Sequence, residues 1–326
     1  MMSEHAVYCC TDPKCNRVVL KDTDIGFECP NGHSFPYAAG TQVPVFACQP
    51  EAVNEYTIHD AAEVHDNSLR WVFSTFDTNE DALRESLVSR LGLKRGDRLL
   101  VTGAGAGNDL PYMAKMMNGA GEIFAQDIAQ QMLLAGVKRH AATIEELGVD
   151  VCFSVSDATN LPFQDDYFDV AYHFGGINLF PDIKKGVNEM DRVVKHGGKV
   201  VISDEGLAPW LMDSEIGKML IQNNALYACA IPLSLLPENA RDMKLTWELN
   251  NCFYVIEFNV SNEPLNINID VPHVGKRGGS IRTRYYGQLE GIDPELKDQI
   301  YAEAERSERS RVEYIEALLR SGLSEK

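Results

Sequence analysis

A chain of 326 residues, 44% of them hydrophobic, is large enough for one sizeable globular domain with appendages. Its 48 acidic side chains outnumber the 30 basic ones, a formal net charge of −18 that opposes a nucleic-acid partner, whose affinity rests on positive charge displacing counterions. The opening residues show no basic-then-apolar leader, and the longest weakly polar run, 225–237, is shorter than the about 20 apolar residues of a bilayer span, so a cytoplasmic protein is expected.

Residues 1–48 are rich in Cys, Pro and Gly and have little helical periodicity. Cys10-x4-Cys15 and Cys29-x3-His33 stand thirteen residues apart, a spacing that can bring four ligands round one zinc ion. Pro13 and the Pro30-Asn31-Gly32 turn supply the tight loops between them. Cys9 can replace Cys10, and Cys48 can replace His33, so one ligand stays open. Four protein ligands would make such a zinc structural, with no position left for a substrate. Residues 49–95 read as a helical linker with cofactor-side helices: Leu69, Val72, Phe73 and Phe76 repeat at helix spacing, as do Leu83, Leu87 and Leu91. Asn79 or Thr78 is the expected cap of the second helix.

From residue 98 strands and helices alternate. Strands are predicted at 98–102, 122–126, 151–154, 168–173 and 199–203, and helices at 109–117, 129–147 and 183–195. This order implies an α/β domain over 96–260, with a mostly parallel, doubly wound, seven-stranded sheet covered on both faces. A helical insert at 206–241 is expected to act as a lid, its aromatic and methionine side chains (Trp210, Met212, Met219, Tyr227) facing an acceptor. Residues 244–249 and 252–260, joined by a turn at Asn250-Asn251, form a predicted antiparallel terminal hairpin. The tail 261–326 ends in two predicted helices, 294–306 and 311–319.

Gly103, Gly105 and Gly107 fall where the first strand of this domain gives way to a helix, so the turn can close tightly and a ligand can lie against its backbone. The dinucleotide fingerprint would place its third glycine one residue later, where Asn108 stands. Asp127 ends the next strand twenty residues after Gly107, placed to accept from both hydroxyls of a ribose, and Asp157-Ala158 follows the third strand. The run LLVTGAGAGNDLP, IFAQDIAQQML, SDATNLPFQDDYFDV and RVVKHGGKVVISDE resembles the class I methyltransferases, which use S-adenosylmethionine. The resemblance implies that Gly103, Ala104, Gly105 and Gly107 line the methionine and ribose portion. It further implies that Asp127 holds the ribose, Ile128 packs on the adenine, and Asp157 accepts from the adenine amino group beside the Ala158 backbone. Val101 stands where that family usually carries an acid, so another group or a water must meet the cofactor ammonium.

The segment CPNGHSF resembles the zinc ribbon at the front of bacterial ribosomal-RNA guanine-N1 methyltransferases. Residues 1–48, however, carry three basic residues against five acidic ones, which favours packing on the catalytic domain over holding RNA. The text IRTRYYGQLEG, PELKDQIYAEAER, SRVEYIEALLR is similar to a strand-helix-helix unit of the ribbon-helix-helix kind, and this implies a homodimer through the tail.

Methyl transfer is a displacement on a sulfonium, and alignment of the acceptor contributes most of the rate. Where the acceptor must lose a proton, His173 at the end of the fourth strand is the expected base. Asp204 and Glu205 end the fifth strand and serve equally well as caps for the next helix. Lys276, Arg277, Arg282 and Arg284 form a basic stretch suited to an acidic group on a small acceptor. The expected function is therefore methyl transfer from S-adenosylmethionine to a small, acidic molecule, without nucleic acid or membrane. An RNA methyltransferase is the alternative, and a non-catalytic dimeric protein that senses the cofactor is the third reading.

Overall fold

A computed structural model describes residues 7–47, 56, 58, 60–287 and 292–324. Cys48, the alternative zinc ligand, lies outside the described residues. Residues 1–263 form one unit and 264–326 a second.

The first unit begins with a small antiparallel sheet, β1 (Lys21–Thr23), β2 (Gly26–Glu28) and β3 (Ser34–Pro36). So short a sheet buries little by itself, and its apolar side chains (Tyr8, Phe27, Phe46) join one core with Phe124, Phe163 and Phe168 of the following domain. Arg17 clamps the same junction, donating to the Leu161 carbonyl at 3.1 Å and pairing with Glu189 at 2.9 Å. Packing on the α/β domain, expected from the ribbon's charge, is thus present.

Two helices follow, α1 (Ala61–Thr75) and α2 (Glu80–Ser89). Asn79 caps α2, its side chain accepting from the Ala82 N–H. Phe73, Phe76, Leu83, Leu87 and Leu91 share a core with Leu99 and Val101 of the sheet, so the span read as a linker packs as part of the domain.

The alternation predicted from residue 98 is found with ends shifted by a few residues. It runs β4 (Arg98–Thr102), α3 (Leu110–Met117), β5 (Glu122–Asp127), α4 (Gln130–Glu146), β6 (Asp150–Val155), β7 (Phe168–Phe174), α5 (Ile183–Val193) and β8 (Val194–Glu205). A hairpin of β9 (Arg241–Glu248) and β10 (Phe253–Asn259) completes a sheet ordered β6-β5-β4-β7-β8-β10-β9 among the described residues. Pairs from β6 through β8 are parallel, and β10 is antiparallel to both β8 and β9. The order reverses between β4 and β7, which places the crevice of the sheet beyond their carboxyl ends.

The expected helical insert is less regular than predicted. It holds one α-helix, α6 (Glu215–Asn223), between short 3-10 turns at Pro209–Leu211, Ala225–Ala228 and Pro232–Leu235. Pro209 and Pro232 each start a new turn, and neither can donate a backbone hydrogen bond to continue an earlier one. The hairpin turn lies where Asn250-Asn251 placed it, with Leu249, Asn250 and Asn251 all at positive φ.

In the second unit the predicted tail helices are α8 (Pro294–Arg306) and α9 (Arg311–Ser324), preceded by α7 (Ile281–Tyr286). The strand expected at the start of the ribbon-helix-helix likeness is therefore a helix over 281–286. Ser280 caps it and Thr283 returns the bond to the Ser280 N–H, a reciprocal pair that fixes a helical start. Residues 288–291 of that predicted strand lie outside the described residues. With its strand gone, the likeness gives no basis for dimerisation through this tail.

Candidate functional site

Beyond the carboxyl ends of β4 through β8 lies a cavity of about 750 Å³. The turn after β4 forms its floor, Asp127–Ala129 and Ser156–Ala158 one wall, and His173–Gly176 with Glu205 another. Leu69, Val72 and Phe73 of α1 close it from above, and Leu249 and Phe253 from the hairpin side. Residues scattered over some 200 positions are thus gathered because a parallel sheet delivers every loop that follows a strand to the same edge.

The glycine turn depends on backbone shapes that other residues adopt at a cost. Gly103, Gly105 and Gly107 have φ of 61°, 53° and 76°, all left-handed. A Cβ on Gly103 would lie 2.9 Å from His173 Cε1. Gly136, within α4, was not singled out in the sequence. A Cβ there would stand 3.1 Å from the Ala106 carbonyl carbon, so this glycine lets the helix approach the turn.

Asp127 is held by the loops on both sides of it. Its Oδ2 accepts from the Gly105 N–H and its Oδ1 from the Ala129 N–H, both at 2.7 Å. Burial pushes this carboxyl up and those N–H groups pull it back. Next to it Ile128 is 41% exposed and lines the cavity. The Asp157 carboxylate accepts from the Thr159 N–H and hydroxyl, each at 2.8 Å, which fixes the loop that carries Ala158. All eight residues named for the cofactor, from Gly103 to Ala158, line this one cavity.

Val101 is buried in the core. The nearby Asp109 accepts from Arg84 Nη1 at 2.5 Å and from the Tyr172 hydroxyl at 3.3 Å. Burial alone would lower the Arg84 guanidinium, but Asp109 and Glu80 hold it above its ordinary value. This buried pair was not anticipated; its sequence signal is a lone arginine between Leu83 and Leu87 on the apolar face of α2.

His173 is fully buried. Its Nδ1 lies 3.0 Å from the Thr102 carbonyl, and its ring meets Phe180 edge-on at 5.1 Å. Burial first of all lowers it, so it stays neutral at neutral pH. Asp204 and Glu205 cap no helix. Asp204 is buried and accepts from the Gly176, Asn178 and Glu205 N–H groups at 3.1, 2.7 and 2.9 Å, while Glu205 lines the cavity. The insert supplies Leu226 to the wall, whereas Trp210 is 64% exposed. The basic stretch lies in the second unit, where Lys276 pairs with Glu305, Arg282 with Asp270, and Arg284 donates to the Gly278 carbonyl.

A second constellation sits in the N-terminal ribbon. One ligand atom from each of Cys10, Cys15, Cys29 and His33 lies within 4.8 Å of the others. The sulfurs of Cys15 and Cys29 are 3.7 Å apart, close to the edge of a tetrahedron drawn with zinc–sulfur bonds of about 2.3 Å. His33 turns Nδ1 toward the Cys15 and Cys10 sulfurs at 3.3 and 3.5 Å, and its Nε2 faces Asp12 at 3.4 Å. That carboxylate behind the ring is a common support of a metal-bound histidine. The Asn31 N–H and side-chain amide donate to the Cys29 and Cys15 sulfurs at 3.4 and 3.2 Å. Cys9 is buried outside this cluster, and Cys10 is the one of the two neighbours that lies within it.

Residues 75–207 match the model of the ubiE/COQ5 methyltransferase family. Over 152 residues the chain is 31% identical to the ubiquinone/menaquinone biosynthesis C-methyltransferase UbiE of Bdellovibrio bacteriovorus, covering 44% of this chain and 63% of that one. Over 170 residues it is 29% identical to the demethylmenaquinone methyltransferase of Beutenbergia cavernae, covering 49% and 64%. It thus spans less than two thirds of either relative. Among solved structures, phosphoethanolamine N-methyltransferase 2 of Haemonchus contortus, in complex with S-adenosyl-L-methionine, is similar with a TM-score of 0.49 and 15% identity, over 65% of this chain and 61% of that one. Residues 75–207 are thus similar in sequence to the ubiE/COQ5 methyltransferases, and the same part of the chain has a doubly wound α/β fold.

Proposed function

We propose that the protein transfers the methyl group of S-adenosylmethionine to a small organic acceptor. The observation that carries this reading is the convergence of the glycine turn, Asp127 and Asp157-Ala158 on one cavity. In it, Gly103, Ala104, Gly105 and Gly107 offer backbone to the methionine and ribose part, and Asp127 keeps lone pairs for the ribose hydroxyls beside its two backbone partners. Ile128 and Ala158 border the adenine, and Asp157 accepts from its amino group. His173 props the turn beneath Gly103, its Nδ1 at 3.0 Å from the Thr102 carbonyl. Calorimetry with S-adenosylmethionine and S-adenosylhomocysteine tests the assignment, and absence of binding by the wild type overturns it.

Leu69, Phe73, Leu249 and Phe253 give the cavity an apolar wall, which suits a ring-bearing acceptor. The relatives named for quinone biosynthesis support the same class. An acidic acceptor would draw on the basic stretch, three of whose side chains bond within the second unit. An RNA acceptor is opposed by the charge of −18. Turnover of any acceptor would exclude the non-catalytic reading. A cytoplasmic location fits the finding that no described helix is long and apolar enough to cross a membrane.

The ribbon reads as a structural zinc site of Cys10, Cys15, Cys29 and His33. Zinc would supply folding energy there and no chemistry, since the protein fills all four positions. Elemental analysis is expected to find about one zinc per chain; a metal-free, fully folded preparation would overturn this.

A further inference from the structure

We propose that Glu205, backed by Asp204, is the group that contacts the exchangeable hydrogen of the acceptor and takes its proton as the methyl moves. This deepens the methyl-transfer reading and rests on it.

The cavity wall carries four carboxyl side chains, and three already have protein donors. Asp109 is taken by Arg84 and Tyr172, Asp127 by the Gly105 and Ala129 N–H groups, and Asp157 by Thr159. Glu205 differs. Among the described residues its carboxyl meets Asp204 and its own N–H. It stands at the end of β8, opposite Phe253 of the neighbouring β10, in the apolar part of the wall. A polar group placed there without an outside donor is available to a bound molecule.

Asp204 is held against Glu205 by three backbone N–H groups that donate to its oxygens. Burial, with the hydrogen bond and the charge of Asp204, pushes Glu205 up to about 9. The groups packed around the pair bring no competing charge at neutral pH. His173 is lowered by burial, while Tyr227, Cys229, Cys252 and Tyr254 are all raised by it. Tyr254, paired across the strands with Asp204, is buried with a hydroxyl that has no partner among the described residues. Glu205 in its ionised form is thus a strong proton acceptor set in the apolar part of the cavity wall.

The step balances as follows. An acceptor hydroxyl or amine donates its hydrogen bond to the free oxygen of Glu205. As the electron pair of the acceptor atom forms a bond to the methyl carbon, the bond from that carbon to the sulfonium breaks and leaves a neutral thioether. The acceptor proton passes to the ionised Glu205 carboxylate. Glu205 ends protonated and returns that proton to water after the product leaves.

The test uses the full-length protein saturated with S-adenosylhomocysteine and two probes of one shape, 2-naphthol and naphthalene. Wild type is expected to bind 2-naphthol about tenfold more tightly than naphthalene, the effect of one buried hydrogen bond. Glu205→Leu is expected to abolish that preference while keeping its affinity for naphthalene and for S-adenosylhomocysteine. Glu205→Gln keeps an accepting oxygen and so keeps most of the preference, but it cannot take the proton. Its bound 2-naphthol is therefore expected to lose the naphtholate emission seen in wild type. Equal affinity of wild type for the two probes, or an unchanged preference in Glu205→Leu, would overturn the proposal. Failure of wild type to bind S-adenosylhomocysteine would overturn the underlying methyl-transfer reading instead.

Discussion

The Phe46 N–H donates to the Val155 carbonyl at 2.7 Å, and the Val155 N–H returns a bond to the Pro44 carbonyl at 2.9 Å. The chain leaving the N-terminal ribbon is thereby laid as a parallel bridge along β6, which is otherwise an edge of the main sheet. Asp157 stands two residues further on. The Asn160 side chain ties the same loop to the ribbon, donating to the Thr11 carbonyl at 2.9 Å beside Cys10. A ribbon that loses its metal should therefore loosen the adenine side of the cavity. Chelated protein is expected to bind S-adenosylhomocysteine about 3- to 10-fold more weakly, with recovery on adding zinc, as one or two hydrogen bonds would predict. Calorimetry beside far-ultraviolet circular dichroism makes the check. Unchanged affinity in metal-free protein would show that the two sites are independent.

Asp127 spends part of its carboxylate on protein. Replacing it by Ala removes the bonds to Gly105 and Ala129 together with any to a ribose, so the glycine turn and the ligand lose their partner at once. Affinity for S-adenosylhomocysteine should fall about 10- to 100-fold, the effect of losing one or two charge-assisted bonds. Asp127→Asn offers one accepting oxygen in place of two and should fall between the Ala variant and wild type. Isothermal titration of the three proteins at one temperature decides the order.

The parts of this site that could be read in the sequence are those fixed by local backbone need. Glycines at a strand-to-helix turn, an acid at the end of the next strand and paired Cys/His knuckles each follow from short-range geometry. The strand and helix order followed from periodicity for the same reason. Long-range pairing was not legible. The bond of Phe46 to Val155 joins residues more than a hundred positions apart, and neither side chain announces it. Arg84 and Asp109 also read as ordinary helix residues until the fold buries them together. Glu205 was visible at a strand end, but its choice between capping a helix and facing a cavity depends on Asp204 being taken by Gly176 and Asn178. The tail strand failed in the other direction: a β-like run of Ile, Arg, Thr and Tyr was outweighed by the local bonds of Ser280 and Thr283.

Arg84 and Asp109 make a buried ion pair next to the glycine turn, and removing one partner leaves the other charge buried. Arg84→Ala is expected to lower stability by about 3–5 kcal/mol. The double variant Arg84→Ala, Asp109→Ala should lose less than the sum of the single changes, because neither charge remains uncompensated. Urea unfolding of the four proteins measures the coupling. Additive losses would mean that the two residues act separately.

The raised position of Glu205 has a consequence for stability that requires no substrate. Its carboxyl ionises at about 9 in the folded protein, against an ordinary 4.5. Below the ordinary value both folded and unfolded chains hold the proton, so Glu205 adds no pH dependence there. Between the two values the unfolded chain has released it and the folded chain has not. The unfolded state then binds fewer protons, and stability falls as pH rises. Above about 9 both are ionised and the loss is complete. Glu205→Gln can still donate to Asp204 but never ionises, so it escapes this penalty. Its melting temperature relative to wild type should therefore climb with pH, with a gap at pH 8.5 larger than that at pH 5 by at least about 3 °C. Titrating groups that do not touch Glu205 are common to both proteins and cancel in the difference. Calorimetric scans at matched ionic strength give the gap directly, and a gap independent of pH would show that Glu205 is already ionised in the folded state.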